Sequence, residues 1–159
     1  MNPQAQHWID QYALQAHPEG GHFIETIASE EMITPIGRAS RPLYSSILFM
    51  LSDQEVSHFH RLMSDEIWIF QDGNPLSVVT IDPQGKLDII RLGKGKDEVL
   101  QAVVKAGMIF GSCVSDGGSA LVGCIVSPGF LYEEFTLFSK TELLKSYPQH
   151  AFWIDRLGL

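Results

Sequence analysis

Short apolar runs rich in β-branched and aromatic residues recur along most of the chain, separated by turn residues such as glycine, proline and aspartate. Runs of this length and composition are typical of β-strands. They cover residues 22–28, 43–51, 57–62, 66–70, 76–81, 87–92, 100–104, 108–114, 120–126 and 133–138. Because no helical pattern separates them, they predict an all-β fold, either a sandwich or a barrel, and not a parallel α/β sheet.

Helical spacing of large apolar residues occurs only near the two ends of the chain. It predicts a helix over 3–15, with a proline at its start. Ser139 and Glu142 form an S-x-x-E capping box, which predicts a helix over 139–147. A last helix is expected over 149–157. The pattern therefore predicts a β core flanked by short terminal helices.

Composition narrows the partners that this chain can have. With 159 residues, 45% apolar and 19% charged, it suits one globular domain over 1–159, with its core at about 17–138. A net charge of −8 argues against a nucleic-acid partner, because phosphate binding needs clustered basic residues. The first residues resemble no signal peptide and no run is long enough to span a membrane, which predicts a cytoplasmic protein that binds no membrane.

The two cysteines lie on runs that flank 115–119, a segment typical of a hairpin turn. Pairing Val114 with Ala120 in that hairpin would place Cys113 and Cys124 out of register. Their Cα atoms would then be too far apart for a disulfide, so we expect both to be reduced.

The candidate chemistry is concentrated in His58, His60 and Glu66. Side chains alternate faces along a strand, so the spacing predicts that the two histidines point the same way. A short turn over 62–65 would bring Glu66 back alongside them in a second strand. Two imidazoles and a carboxylate in one cavity indicate either a metal site or an acid–base pocket.

Two aromatic residues share the predicted face of Glu66. Trp68 and Phe70 follow it at even spacing, so they are expected to form an apolar or stacking wall for a sugar ring or a similar planar group. Burial in such surroundings would raise the pKa of Glu66, as a general acid or base requires. His58 is expected to add a ligand contact.

Five segments carry a resemblance to a known family. They are P-E-G-G-H-F-I-E-T (18–26), F-H-R-L-M-S-D-E-I-W (59–68), G-N-P-L (73–76), L-V-G-C-I-V-S-P-G-F (121–130) and E-F-T-L (134–137). They resemble the cupin superfamily and, within it, the cupin-5 family, also called domain of unknown function 985. The resemblance implies a jelly-roll barrel similar in fold to deoxysugar 3,5-epimerases, and a homodimer. It brings no settled activity.

The sequence departs from the cupin pattern in ways that bear on a metal cofactor. The segment 104–112, which matches the second cupin motif, lacks the histidine that usually supplies a fourth ligand. No metal is therefore favoured. If a divalent transition metal is present, His58, His60 and Glu66 are the expected ligands, in the two-histidine, one-carboxylate arrangement of non-haem iron oxygenases.

These observations leave several functions open. The leading hypothesis is a small polar, carbohydrate-like ligand bound in the barrel, with His60 and Glu66 as an acid–base pair of an isomerase or epimerase. The resemblance to epimerases adds a tyrosine acid, for which Tyr132 and Tyr44 are candidates. Glu25 is expected to reach the ligand. The alternatives are a metal-dependent oxygenase or isomerase, and a non-catalytic binding or storage protein.

Overall fold

Two antiparallel sheets packed face to face make up most of the computed structural model, which describes residues 2–159. The strands are β1 (Gln15–Ala16), β2 (His22–Ala28), β3 (Met32–Ile33), β4 (Arg41–Pro42), β5 (Ser45–Ser52), β6 (Val56–Arg61), β7 (Asp65–Gly73), β8 (Leu76–Ile81), β9 (Leu87–Leu92), β10 (Gln101–Val104), β11 (Ile109–Val114), β12 (Ser119–Ser127) and β13 (Thr136–Leu137). The helices are α1 (Pro3–Tyr12), α2 (Lys140–Ser146) and α3 (Ala151–Leu157), with 3₁₀ turns at Tyr132–Glu134 and Pro148–His150.

The strand order makes the fold a jelly roll. One sheet runs β1-β2-β5-β12-β7-β10 and the other β13-β6-β11-β8-β9, while β3 and β4 form a separate ribbon. From β5 onward the chain changes sheet at almost every connection, so the inner faces of both sheets enclose one core. Phe49, Trp68 and Phe110 are among its largest buried side chains. The predicted all-β class with terminal helices is confirmed.

Two predicted hairpins are wrong. Residues 62–64 lead from β6 to β7 and residues 115–118 lead from β11 to β12, and in both cases the two strands lie in different sheets. A turn of the same composition can close a hairpin or pass between two packed sheets, so sequence alone does not separate the two. Glu66 in β7 therefore lies in the sheet opposite β6, the strand that carries His58 and His60. Both cysteines are buried and free within the described part of the chain, as expected.

The terminal helices cover the outer faces of the sheets. α1 packs on β5 and β12 through Trp8, Met50 and Leu121. It ends at Tyr12, earlier than predicted, because Ala13 adopts a positive φ of 54° and the next residues pair with β2. α2 begins with the predicted capping box, and α3 packs on the other sheet. Within residues 2–159, no helix has the length and apolar character to cross a membrane.

The predicted strand over 133–138 is the largest error in secondary structure. Only Thr136–Leu137 pairs, with β6, and a 3₁₀ turn occupies Tyr132–Glu134. The short strands β1, β3 and β4 lie outside the predicted runs, since two residues are too few to produce a period-2 pattern.

Candidate functional site

A cavity of about 160 Å³ lies between the two sheets. Its wall combines aromatic rings with ionisable groups. The aromatic residues are Phe23, Phe49, Trp68, Phe130, Tyr132 and Phe135, and the ionisable ones are His17, Glu19, Glu25, His60, Glu66, Cys124 and Tyr132. Across the described residues, those that line the cavity include no lysine or arginine.

A β-bulge in β6 decides which histidine enters the cavity. His60 pairs with Phe110 of β11 and Ser57 pairs with Ser112, so His58 and Phe59 together oppose Gly111. The extra residue breaks the alternation of faces. His60 therefore points inward and lines the cavity, while the Nδ1 of His58 lies 3.2 Å from the carbonyl oxygen of Leu157 in α3. The prediction that both histidines share one face is wrong for this reason, and His58, predicted to contact the ligand, is not among the residues that line the cavity.

His60 is held in one tautomer by a buried hydrogen-bond chain. Its Nδ1 lies 2.7 Å from the carbonyl oxygen of His58, which can only accept, so Nδ1 carries the hydrogen. Its Nε2 then faces Oε2 of Glu19 at 3.2 Å. The other oxygen of Glu19 accepts a hydrogen bond of 2.8 Å from the hydroxyl of Ser57. Glu19 and His60 therefore form a pair with one proton between Oε2 and Nε2.

The loop before β2 fixes Glu19 in the cavity wall. Gly20 and Gly21 both have positive φ, 101° and 74°, and a Cβ on Gly20 would lie 2.1 Å from the carbonyl oxygen of Val56. Only glycine allows the loop to approach β6 this closely. The backbone N–H of Glu19 donates to Nδ1 of His17 at 3.1 Å, which places this second imidazole beside the pair.

Glu66 is a buried carboxyl group with little to stabilise its charge. It is 6% exposed, and its Oε2 lacks a hydrogen-bond partner among the residues described. Desolvation and, to a lesser extent, the nearby Glu19 raise the pKa of Glu66 to about 8, against a smaller lowering by the Cys124 thiol. Glu66 is therefore mainly protonated at neutral pH.

Burial shifts the pKa values of both His60 and Glu19. Desolvation is the largest effect on His60 and lowers its pKa to about 4, so the ring is neutral at pH 7. Desolvation also raises the pKa of Glu19, opposed by His17 and by the hydrogen bond from Ser57. A carboxylic acid and a neutral imidazole in one cavity are the arrangement expected of an acid–base site.

A short segment, Phe130–Phe135, forms the part of the cavity wall that we call the strap. Phe130, Tyr132 and Phe135 contact one another through ring edges, with centroids 4.8 to 6.2 Å apart. Glu134 anchors the strap by accepting from both Arg38 and Arg41. The hydrogen bonds from these guanidinium groups, Arg41 first, hold the pKa of Glu134 well below its usual value.

The remaining predicted site residues divide between the cavity and the rest of the core. Tyr132 and Glu25 line the cavity from exposed positions. Phe70 shares the inward face of Glu66 and Trp68 but lies outside the lining. It is four residues from Glu66, or about 13 Å along a strand, so it packs in another part of the core. Tyr44 also lies outside the lining.

Sequence reasoning missed two members of the site. Neither His17 nor Glu19 is among the predicted site residues, yet both line the cavity. The available signal was the pair of glycines directly after Glu19, because two adjacent positive φ angles mark a loop held against another part of the fold.

The residues present do not fit the metal site that the sequence offered as an alternative. His58 points away from Glu66, and the Nε2 of His60 faces Glu19. Throughout residues 2–159, no group of three His, Cys, Asp or Glu side chains has a geometry that could hold a metal ion. The two-histidine, one-carboxylate set of His58, His60 and Glu66 is therefore not assembled.

Comparisons with known proteins agree on the fold. The family model described as "Cupin superfamily (DUF985)" matches residues 6–138. A protein of Shewanella oneidensis is 42% identical, with a TM-score of 0.92 and coverage of 98% of this chain and 97% of its own. A hypothetical protein from Leishmania major is 35% identical, with a TM-score of 0.90 and coverage of 97% and 98%.

A more distant similarity extends to an enzyme. An oxalate decarboxylase of Bacillus subtilis is 16% identical, with a TM-score of 0.58 over 91% of this chain and 37% of the enzyme. At that identity the likeness concerns the fold alone. A search of the curated proteins found no match.

Proposed function

This chain belongs to the cupin superfamily, in the family of domain of unknown function 985, and on that premise we propose that it is an isomerase or epimerase whose own side chains transfer the protons. The observation that carries this proposal is the presence, in one cavity, of a buried carboxyl group at Glu66, whose Oε2 lacks a hydrogen-bond partner, and of a tautomer-fixed His60 beside Glu19. Their substrate is a small, uncharged, carbohydrate-like molecule bound between the sheets.

The size and charge of the cavity support a small uncharged ligand. A volume of about 160 Å³ is close to that of engineered cavities that hold one benzene-sized molecule, roughly 150 Å³. A phosphate or nucleotide group would need cationic partners to replace its water, and the described lining has no lysine or arginine. A sugar nucleotide is therefore a poor match, whereas a single ring or a short polyol derivative suits the cavity.

The two acid–base groups have complementary roles. Glu66 is protonated at neutral pH and donates, while the Glu19–His60 pair accepts. Because the ring of His60 is neutral at pH 7, Glu19 holds the shared proton in the resting pair. Transfer of that proton to Nε2 leaves a Glu19 carboxylate, which can take a proton from carbon. Positioned proton transfer of this kind contributes about 10²–10⁴-fold to a rate.

A non-catalytic binding protein is the second candidate, favoured by the aromatic wall. Six aromatic side chains line the cavity, and such a surface can bind a ring without any reaction. This function predicts stabilisation of the fold by ligand, and no exchange of carbon-bound hydrogen.

Solvent deuterium exchange tests the proposal. The protein is incubated in D₂O with a panel of small aldoses and ketoses, and deuterium incorporation at carbon is measured by NMR. We expect incorporation into at least one compound, reduced about 10²-fold or more by Glu66→Gln and by His60→Gln.

Glu133→Gln is the matched control, because Glu133 is an exposed glutamate that does not line the cavity. It should retain most of the exchange. Ligand-dependent stabilisation without exchange above the uncatalysed rate would reject the enzyme in favour of the binding protein.

A further inference from the structure

Two polar atoms on one face of β7 are buried without a partner in the cavity wall. Oε2 of Glu66 and Nε1 of Trp68 have no hydrogen-bond partner within residues 2–159, and their residues are 6% and 1% exposed. We infer that these two groups bind one carbonyl oxygen of the substrate. The substrate is then a small aldehyde or ketone with a hydrogen on the adjacent carbon. This inference rests on the proposed function and deepens it.

The burial of these atoms argues for a ligand. A buried polar group without a partner costs free energy, and native proteins keep few of them. Buried atoms of Ser112 and His22 also lack a hydrogen-bond partner in the described structure, but neither residue lines the cavity. Glu66 and Trp68 both do, and they are two positions apart on the same strand face. A ligand in the cavity can therefore satisfy both.

The chemistry of the two groups selects an acceptor. The indole N–H of Trp68 can only donate, and the protonated carboxyl of Glu66 offers an O–H. An ammonium ligand has no acceptor for either group. An ionised carboxylate would enter a wall that the described residues leave without a cationic side chain. An uncharged carbonyl oxygen has two lone pairs and meets both requirements.

The same arrangement suits the proton transfer. As the Glu19–His60 pair takes the proton from the carbon next to the carbonyl, the C–H electrons form a C=C bond and the C=O π electrons move to oxygen. The growing negative charge on that oxygen is stabilised by Glu66 and Trp68, since donors placed where charge develops lower the barrier. Return of the proton to the face it left regenerates the substrate, and its return to the opposite face gives the epimer, so no further reactant is needed.

Phenol is a probe for this pair of donors. Its ring suits the cavity volume and its oxygen mimics an enolate, while toluene has nearly the same shape without the oxygen. We expect phenol to bind the whole protein, with affinity reduced about three- to tenfold by Trp68→Phe and by Glu66→Leu. Toluene should bind all three proteins similarly. Titration calorimetry or ligand-observed NMR measures both affinities.

Each outcome decides the inference. Equal loss of phenol and toluene binding would mean that the substitutions only reshape the cavity, and unchanged phenol binding would mean that the donors are not used; either result overturns it. The thermal unfolding midpoint of each variant shows whether it folds, and Trp68→Tyr provides a second aromatic replacement. Phenol binding needs no turnover, so donor-dependent binding without deuterium exchange would reject the proposed function and keep the donor pair.

Discussion

Replacing Glu134 by alanine should lower the free energy of unfolding by about 3–5 kcal/mol, because it leaves the charge of Arg41 buried without its carboxylate. Arg41 is 1% exposed and donates two hydrogen bonds to Glu134, while its Nε donates to the carbonyl oxygen of Ala39 at 2.8 Å. The change also releases the strap, Phe130–Phe135, from its anchor. Denaturant unfolding measures the loss.

Glu133→Ala is the matched control, since Glu133 is the exposed neighbour in the same 3₁₀ turn. It should change stability by about 0.5 kcal/mol or less. The pKa of Glu134 is lowered in the folded protein. Its contribution to the free energy of unfolding is therefore complete at pH values above the pKa of an unfolded glutamate, and it is lost only as the pH falls toward the lowered pKa. A similar, small effect of both substitutions would contradict the role of Glu134 as the anchor.

Gly20→Ala should be the second strongly destabilising change, and it should also move Glu19. A non-glycine residue at φ 101° costs roughly 1–3 kcal/mol. In addition, the new Cβ would lie 2.1 Å from the carbonyl oxygen of Val56, so the loop or β6 must shift. We expect a total loss above the backbone cost alone, together with a changed NMR environment of His60.

Gly37→Ala separates the cost of the backbone conformation from the cost of the close approach to β6. Gly37 also has a positive φ, 71°, and its Cβ would have no described atom within 4 Å. It should carry only the backbone cost and leave His60 unchanged. If Gly20→Ala were no more destabilising than Gly37→Ala, the close approach of the loop to β6 would not be what positions Glu19.

The sequence predicts much of the fold because strand periodicity is local. The boundaries of β2, β8 and β9 agree with the predicted runs, and the capping box at Ser139 begins α2. Sheet membership is different, since it depends on where a chain packs after each turn. For this reason the sequence predicts hairpins at 62–65 and 115–119, where the chain instead passes from one sheet to the other.

The candidate site shows the same division between local and non-local information. Alternation along β7 places Glu66 and Trp68 on one inward face, as the structure has them. His58 departs from the pattern because a bulge is defined by the partner strand, β11, and not by the sequence of β6 alone. Glu19 is 41 residues from His60 in the sequence, and only the fold brings the two side chains together.

The state of Glu66 also controls how stability depends on pH. A raised pKa means that the folded protein binds more protons than the unfolded chain, so the free energy of unfolding falls as pH rises toward about 8. The lowered pKa of His60 has the opposite effect, between about 4 and 6.5. Between pH 6.5 and 8, of these two groups only Glu66 changes the free energy of unfolding with pH, with a slope of up to ~1.4 kcal/mol per pH unit. The Glu66→Gln substitution should remove this pH dependence.

The protonation of Glu66 in the free protein is the most direct test of an acid–base cavity. Carbon-13 NMR of the glutamate side-chain carboxyls, with Glu66→Gln to assign the signal, follows this group across pH. Our account predicts a carboxyl that stays protonated at pH 7 and titrates near pH 8. A Glu66 signal that titrates at pH 4–5, like an ordinary solvated carboxyl, would contradict it.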